Sequence, residues 1–316
     1  MRIFVTGAAA HLARPLLPTL CQCDWVSAVC GVDLKASGFA HSKYTEHICD
    51  VRDPRLARLM LGHDAVIHLA FVVLRSHLGT QRKNRALVHD INVNGSIAVF
   101  ESAALQGITR IVHISSAAVY GAWPSNTVLA TETQARRSMP GFSYSQDKNA
   151  VEDWLDAFEL RYPHTYVTRL RPHVILGAHA QAFLRLLLAQ PFYPYFRAPL
   201  PLTQCVWEED VVAAMLAVLQ RDVRGAFNLA AEPALPFRDL LRLTHRYTFP
   251  LPFTALRWLH RAAWTVSGAG EEPGWMDGMR YSLAVDCARA KSELDWMPRY
   301  STQACVTKML GSPEYA

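Results

Sequence analysis

The chain begins MRIFVTGAAAHLA (residues 1–13), an apolar stretch that runs into a glycine and three alanines. Residues 3–5 predict a buried strand that is followed by a turn and a helix. A dinucleotide-binding βαβ unit places its glycine-rich loop at such a turn. Gly7 can make the tight turn, and the amides that open the helix can receive a pyrophosphate. We therefore expect Gly7, Ala10, His11 and Leu12 to contact a dinucleotide.

Two positions of this turn depart from the usual glycine pattern, since the second and third glycines are replaced by Ala10 and Ala13. Alanine is accepted at the third position, but at the second its methyl stands where backbone and pyrophosphate approach each other. The next predicted strand ends at Asp33, at about the spacing of an acid that hydrogen-bonds the adenosine ribose hydroxyls. A carboxylate there repels a 2′-phosphate, so NAD is expected, with NADP the less favoured alternative because Lys35 follows.

The composition excludes several classes of protein. Of the 316 residues 51% are hydrophobic and 19% charged, which is typical of a globular chain with a sizeable core and excludes intrinsic disorder. Lys and Arg number 32 against 27 Asp and Glu, and no run of like charges occurs, so we expect no nucleic-acid partner. No apolar stretch is long enough for a membrane span, and the first residues lack the pattern of a secretion signal.

The cysteines and the other potential metal ligands argue against metal chemistry and against disulfides. The seven cysteines are an odd number and contain no C-x-x-C pair. This pattern favours reduced, mostly buried thiols and a cytoplasmic location. No His, Asp or Glu pair has convincing metal-ligand spacing, so we predict no metal site.

Strand-length apolar runs alternate with helical patterns through the first half of the chain. This alternation predicts an α/β fold, a doubly wound parallel sheet covered by helices on both faces. After residue 177 the sequence becomes rich in proline and aromatic residues. We therefore divide the chain into a dinucleotide-binding domain at 1–176, with a returning segment around 205–230, and a smaller C-terminal α/β substrate lobe, mainly 177–316.

A second constellation points to acid–base chemistry. The predicted strand at 111–114 leads into Ser115 and Ser116, and a later helix opens with Tyr144 and has Lys148 one turn on. A tyrosine and a lysine four residues apart share one helix face, so the ammonium can lower the phenol pKa while it holds a ribose. A serine at a neighbouring strand end can hydrogen-bond the substrate oxygen. We predict that Ser116, Tyr144 and Lys148 are catalytic.

Together these segments resemble the extended short-chain dehydrogenases/reductases of the NAD-dependent epimerase/dehydratase family, the relatives of UDP-galactose 4-epimerase. The resemblance covers nearly the whole chain and implies a Rossmann-type fold, NAD as cofactor and a small-molecule substrate. Further segments that match the family pattern are Asp50-Val51, His68-Leu69-Ala70-Phe71, Asn92-Val93-Asn94-Gly95, the stretch at 171–177 that includes Pro172 and His173, Val206-Trp207-Glu208-Glu209-Asp210-Val211, and 290–298.

The resemblance implies a role for each site residue. Tyr144 is the acid/base, Lys148 its partner and ribose ligand, and Ser116 the ligand of the substrate hydroxyl. Tyr144 takes a hydroxyl proton while a hydride passes to the nicotinamide; an epimerase returns the hydride to the other face, and a dehydrogenase releases the ketone. The implied cofactor contacts further include Asp50, Val51, Leu69, Ala70, Phe71, Asn92, Ile114 and Pro172, and the implied substrate contacts are Ser116, Ala117, His173 and Trp207.

One departure from the family bears on the substrate. Nucleotide-sugar enzymes of this family usually hold the diphosphate with two arginines, whose positions fall near Gln204 and Trp275 here. Arg185, Arg197 or Arg280 remain as other sources of charge. The leading hypothesis is an epimerase, dehydratase or dehydrogenase acting on a nucleotide sugar or related polyol. The alternatives are an NAD(P)-dependent dehydrogenase/reductase of an apolar, sterol- or lipid-like alcohol or ketone, and a non-catalytic dinucleotide-binding protein.

Two expectations concern surfaces. The segment 251–266 is an apolar helical pattern with basic residues, which predicts either a helix packed into the lobe or one that faces a membrane surface. The family is often dimeric through helices that start near Asp90 and Tyr144, so the resemblance implies a homodimer.

Overall fold

Seven parallel strands form the centre of the structure, a computed structural model that describes residues 1–73, 81–179, 190–195, 200–267 and 272–311. Described strands are β1 (Arg2–Thr6), β2 (Ala28–Asp33), β3 (Tyr44–Ile48), β4 (Ala65–His68), β5 (Arg110–Ile114), β6 (Tyr166–Pro172), β7 (Val174–Leu176), β8 (Phe192–Tyr195), β9 (Leu202–Thr203), β10 (Cys205–Trp207), β11 (Gly225–Leu229), β12 (Leu235–Pro236) and β13 (Tyr247–Pro250). The strand order of the central sheet is β3-β2-β1-β4-β5-β6-β11, and every neighbouring pair is parallel.

Helices cover both faces of this sheet. They are α1 (Ala13–Gln22), α2 (Leu56–Leu59), α3 (Gln81–His89), α4 (Gly95–Leu105), α5 (Ser143–Arg161), α6 (Glu208–Leu219), α7 (Phe237–Arg242), α8 (Phe253–Ser267), α9 (Pro273–Gly278), α10 (Ala288–Leu294) and α11 (Thr302–Leu310). A π-helical turn (Asp90–Asn94) joins α3 to α4, and a 3₁₀ turn (Ala117–Tyr120) follows β5.

Two cores sandwich the sheet because successive side chains of a strand point to opposite faces. Ile3 and Val5 of β1 join the core built with α1 and α6, whereas Phe4 joins the core built with α4 and α5. All three side chains are fully buried. The α/β doubly wound fold predicted from the sequence is thus confirmed, and β11, in the returning segment around 205–230, adds the strand at one edge of the sheet.

The C-terminal part consists of short pairings and helices. Strand β10 pairs with β7, β12 with β9 and β13 with β8. Helical spacing of apolar residues continues from Phe237 to Tyr247, but α7 ends at Arg242. His245 then adopts a left-handed conformation with φ of 54°, which a helix cannot accommodate, and Tyr247 begins β13.

The helix predicted at 251–266 exists as α8, and it packs against the lobe on one side, where Arg257 and Arg261 pair with Asp277 of α9. Every residue at 253–266 is half-buried or exposed, so α8 lies on the lobe surface and is not a buried helix. Within the described ranges, no helix is both long and apolar enough to cross a membrane. The same ranges contain no group of three or more His, Cys, Asp or Glu side chains placed to hold a metal ion.

Candidate active site

The carboxyl ends of the central strands open into a cavity of about 470 Å³. The order of the sheet reverses beside β1, and ligands of open α/β sheets bind at such a switch point. Many of the predicted site residues line this cavity: Ala10, His11, Leu12, Leu69, Phe71, Ile114, Ser116, Ala117, Tyr144, Lys148, Pro172 and His173.

The turn after β1 requires a glycine. Gly7 has a φ of +74°, and a Cβ there would lie 2.6 Å from the backbone nitrogen of Ala70. The Gly7 amide donates to the carbonyl of Val32 at 2.8 Å. Two residues on, the Ala9 amide donates to Asp33 Oδ2 at 3.0 Å. The turn therefore packs tightly on the end of β4 and holds the Asp33 carboxylate beside it.

The start of α1 fits an anionic ligand. No side chain caps it at Leu12, and its first turn contains no acidic residue, so the positive end of the helix dipole is not neutralised locally. Ala13 is fully buried, as the third position of the glycine pattern requires, while Ala10 lines the cavity. With Asp33 adjacent, the donors and the acid present fit a dinucleotide.

The predicted catalytic side chains meet above β5. Ser116 caps the following 3₁₀ turn by accepting the Ala118 amide at 3.1 Å and is hydrogen-bonded to Tyr144. Lys148 Nζ donates to the Ile114 carbonyl at 2.6 Å. Burial raises the pKa of Tyr144, and its hydrogen bond with Ser116 partly offsets that rise.

Burial also governs the charge of Lys148. It lowers the pKa of the ammonium to about 7, although Glu152 and Asp147 act in the opposite direction. The Phe71 ring centroid lies 3.5 Å from Nζ, within cation–π range, and 5.6 Å from the Tyr144 ring centroid, edge to face. Phe71 therefore packs against two of the three predicted catalytic side chains.

Asp147 lies on α5, the helix of Tyr144 and Lys148, and links this helix to neighbouring segments. Its buried carboxylate accepts two bonds from Arg85, at 2.9 and 2.7 Å, and lies 2.7 Å from His89 Nδ1. Asn92 Nδ2 donates to the same carboxylate at 3.0 Å and to the Val72 carbonyl at 2.9 Å, while Asn92 Oδ1 accepts the Val72 amide at 2.8 Å. In the described structure Asn92, expected from the resemblance to contact the cofactor, thus fastens the loop after β4 to α5.

Glu152 anchors the other side of the site, one turn beyond Lys148. Its fully buried carboxylate accepts Ser115 Oγ at 2.5 Å and Arg171 Nε at 2.9 Å. Burial raises the pKa of this acid, but Arg171 and Ser115 more than compensate, so the net pKa lies below its usual range. Sequence reasoning missed Asp147 and Glu152; the spacing of Glu152 four residues after Lys148 was the available signal.

Other predicted site residues lie away from the cavity. Asp50 is paired with Arg52, whose Nη2 lies 2.7 Å from its Oδ2, and Val51 is buried against Gly95. Trp207 is buried with its ring 5.8 Å from that of Tyr300, so the structure does not bring it to the substrate cavity as expected.

His173 lines the cavity as a neutral side chain. Burial lowers its pKa to about 4; its Nε2 lies 2.9 Å from the Leu283 carbonyl oxygen, and its Nδ1 accepts the Val174 amide at 2.8 Å. His68, in the segment that matches the family pattern, is buried between Thr6 and Ser96. Both rings therefore shape the site without carrying charge.

The lobe supplies an apolar wall. Among the lining residues that the structure describes, Lys148 is the one Lys or Arg, and none is Asp or Glu. Gln204, at one of the expected arginine positions, bonds the backbone of Ala231 and Val285. Arg280 packs on the rings of Phe253 and Tyr281 and is not among the described lining residues. Arg185 and Arg197 lie outside the described residues. The wall consists mainly of Ile175, Leu176, Tyr193, Leu202, Phe237, Leu240, Leu241, Trp275, Met279, Tyr281 and Leu283.

Comparison with known proteins gives sequence relatives that match over most of this chain. The chain is 26% identical to an uncharacterised protein of Mycobacterium tuberculosis over 95% of this chain and 81% of the relative. It is 23% identical to a dTDP-glucose 4,6-dehydratase of Escherichia coli over 98% of this chain and 92% of that enzyme.

Solved structures share the fold. The UDP-glucose 4-epimerase of Thermotoga maritima, solved with UDP-glucose, superposes with a TM-score of 0.76 at 19% identity and covers 100% of this chain and 98% of its own. MoeE5, solved with UDP-glucuronic acid and NAD, gives 0.77 at 19% identity over 98% of both chains. The family model described as the NAD dependent epimerase/dehydratase family matches residues 3–230. That match spans the turn at Gly7, the predicted catalytic side chains and the central sheet. The chain therefore belongs to the NAD-dependent epimerase/dehydratase family.

Proposed function

We propose that the chain oxidises a secondary hydroxyl of a nucleotide-linked sugar or related polyol, reversibly and with NAD. The observation that carries this proposal is the meeting of Ser116, Tyr144 and Lys148 at the cavity whose other end is the Gly7 turn. Relatives over most of the chain include dTDP-glucose 4,6-dehydratases, which supports a nucleotide sugar as the substrate.

In this proposal Tyr144 and Ser116 handle the proton. NAD, when bound, supplies the hydride acceptor. The phenolate of Tyr144 takes the proton of the substrate hydroxyl as the hydride leaves the carbinol carbon, and a ketone forms. Ser116 bonds the same oxygen, and the Lys148 ammonium, 5.8 Å from the Tyr144 ring centroid, favours the phenolate.

The cofactor would lie along the carboxyl ends of the strands. Residues 1–176 with the returning segment 205–230 would hold it, and the remaining lobe would hold the substrate. We propose that the turn at Gly7 and the start of α1 bind the pyrophosphate, that Asp33 bonds the adenosine ribose, and that Lys148 bonds the nicotinamide ribose. The further proposed contacts are Asp50, Val51, Leu69, Ala70, Phe71, Asn92, Ile114 and Pro172 with the cofactor, and Ala117 and His173 with the substrate.

A second substrate class is favoured by the lobe wall. A diphosphate needs cationic partners, whereas the described lining offers Lys148 and many apolar side chains. An apolar alcohol or ketone would bury well against Leu202, Leu240 and Met279. This alternative keeps the same hydride transfer and changes the substrate alone.

One experiment separates the two classes. The NAD-loaded protein is screened for a shift in melting temperature and for absorbance at 340 nm with UDP- and dTDP-sugars and with a panel of sterol-like and lipid-like alcohols. A shift with nucleotide sugars alone supports the main proposal, and one with apolar alcohols alone replaces it by the second. Neither a shift in melting temperature nor an absorbance change with either panel, despite bound NAD, contradicts both and favours a protein that binds the dinucleotide without turnover.

We also propose a homodimer and a cytoplasmic location. Helices α4 and α5 expose large apolar side chains, such as Leu105 at 74% and Leu160 at 84%, which supports pairing through these helices. All seven cysteines are free thiols, as expected of a reducing compartment. Light scattering that gives the mass of a monomer at micromolar concentration would contradict the dimer.

A further inference from the structure

Helix α8 presents a continuous apolar face to solvent. Its face consists of five exposed residues, spaced so that they fall within about 140° of the helix circumference. Trp258 is 77% exposed, Leu259 61% and Val266 89%. The five residues of this face, called the α8 face below, are Trp258, Leu259, Ala262, Ala263 and Val266.

The opposite side of the helix fixes this orientation. Arg257 Nε donates to Asp277 Oδ1 at 2.5 Å, and Arg261 Nη2 donates to Asp277 Oδ2 at 2.9 Å. Asp277 lies on α9, which lines the cavity with Trp275 and Gly278. The ion pairs therefore hold one side of α8 against the wall of the active site and leave the α8 face pointing away from the protein.

The charge of this region distinguishes between occupants. Residues 235–266 contain five arginines and one aspartate, and with Asp277, which pairs with two of these arginines, their formal charge is +3, whereas the whole chain carries +5. Helix α8 itself contains Arg257, His260 and Arg261 and no acidic residue. A second copy of the helix would bring like charges together, but an anionic surface complements them.

We infer that the α8 face docks on an anionic lipid bilayer, lying in the plane of the interface. Tryptophan and aliphatic side chains enter the boundary between headgroups and acyl chains, and flanking arginines meet the phosphates. The guanidinium-bearing side chains of Arg257 and Arg261 are 42% and 49% exposed, so they can contact headgroups while they pair with Asp277. Docking places the cavity wall next to the lipid surface, and it does not depend on which substrate the enzyme uses.

Co-sedimentation of the full chain with vesicles tests this inference without any substrate. Vesicles of phosphatidylcholine alone are compared with vesicles that contain one third phosphatidylglycerol. We expect binding to the anionic vesicles, weak binding to the neutral ones, and loss of binding as salt rises well above 0.1 M, where surface charges are screened. Equal binding to both compositions, or none to either, overturns the inference.

Matched valine variants show whether the α8 face makes the contact. Val266→Glu, with or without Trp258→Glu, should weaken binding to anionic vesicles by about tenfold or more, because a carboxylate opposes both burial and the anionic lipid. Val128→Glu, at a valine that is 71% exposed elsewhere, should bind like the unaltered protein. Equal loss in both variants contradicts the assignment.

The mass and the melting temperature in solution complete the test. Since the α8 face is exposed, its variants should keep the melting temperature and the light-scattering mass of the unaltered protein. A fall in mass on Trp258→Glu would show that the face joins two copies of the chain and would overturn the lipid assignment.

Discussion

The two halves of the molecule treat polarity in opposite ways. Around the dinucleotide turn and α5, ionic side chains are buried and paired, as with Asp147 and Arg85 or Glu152 and Arg171. In the C-terminal lobe the described cavity wall is apolar, and α8 turns an apolar face outward. The difference supports the proposal that one half carries the machinery of hydride transfer, while the choice of substrate and of surface belongs to the other.

The largest effect should come from the acid/base itself. Tyr144→Phe removes the proton acceptor but leaves the ring in place against Phe71, so turnover should fall by about a thousandfold. NAD affinity, measured by calorimetry, should change little. The control is Tyr247→Phe in β13, at a tyrosine that is 73% exposed. Undiminished turnover in Tyr144→Phe would show that the first half does not carry the chemistry in this way.

The buried ion pair should dominate stability. Arg171→Met leaves the Glu152 carboxylate without its main partner, and such a loss typically costs about 3–5 kcal/mol of unfolding free energy. Denaturant unfolding measures it. Arg55→Met, which breaks a pair with Asp53 at a side chain that is 71% exposed, should leave the unfolding free energy almost unchanged. Similar costs in the two variants would remove the contrast between buried and surface charge.

Lys148 should make stability depend on pH. Its folded-state pKa of about 7 is below the ordinary value of 10.5, so between these values the unfolded chain binds a proton that the folded chain lacks. The NAD-free protein therefore gains stability as pH rises through this window, and Lys148→Met should lose that gain. Melting temperatures of both proteins at pH 7 and pH 9 measure it; a constant difference between them would place the Lys148 pKa outside the window.

Asp33 should set the choice of cofactor. Asp33→Asn removes the charge that repels a 2′-phosphate, so NAD binding should weaken by about tenfold and the preference over NADP should largely disappear. Calorimetric titration with both dinucleotides measures the effect, with Asp24→Asn at an exposed acid as the control. An unchanged preference would mean that Asp33 does not face the ribose.

The smallest effect belongs to the lobe wall. Leu202→Ala should raise KM about threefold and leave NAD affinity unaltered, because the side chain lines the substrate end of the cavity. Leu61→Ala, at a leucine that is 66% exposed in the other half, should change neither constant. A loss of NAD affinity in Leu202→Ala would contradict the separation of the two halves.

Local patterns predicted the part of the site that depends on local rules. The turn at Gly7, the acid at the end of β2 and the shared face of Tyr144 and Lys148 follow from strand ends and helix spacing, and the structure brings them to one edge of the sheet. A buried partner such as Asp147 depends on which distant side chain packs against it, here Arg85 from another helix.

The same limit explains why Trp207 was expected at the substrate. Trp207 lies on β10, which pairs with β7, and its ring packs toward Tyr300. Tertiary packing, which the local sequence does not encode, decides this position. The hydrogen bonds of Asn92 to Val72 and Asp147 depend on packing in the same way.

The most direct test of the account is the dinucleotide content of the purified protein, read by mass spectrometry after desalting and denaturation, together with calorimetric titration of the emptied chain. The account predicts that one NAD binds per chain, more tightly than NADP. Near-stoichiometric NAD that survives desalting would indicate an epimerase or dehydratase that recycles its hydride, and exchangeable NAD a dehydrogenase. A chain that binds neither dinucleotide would contradict the account, because Ala10 would then have closed the site that Gly7 and Asp33 build.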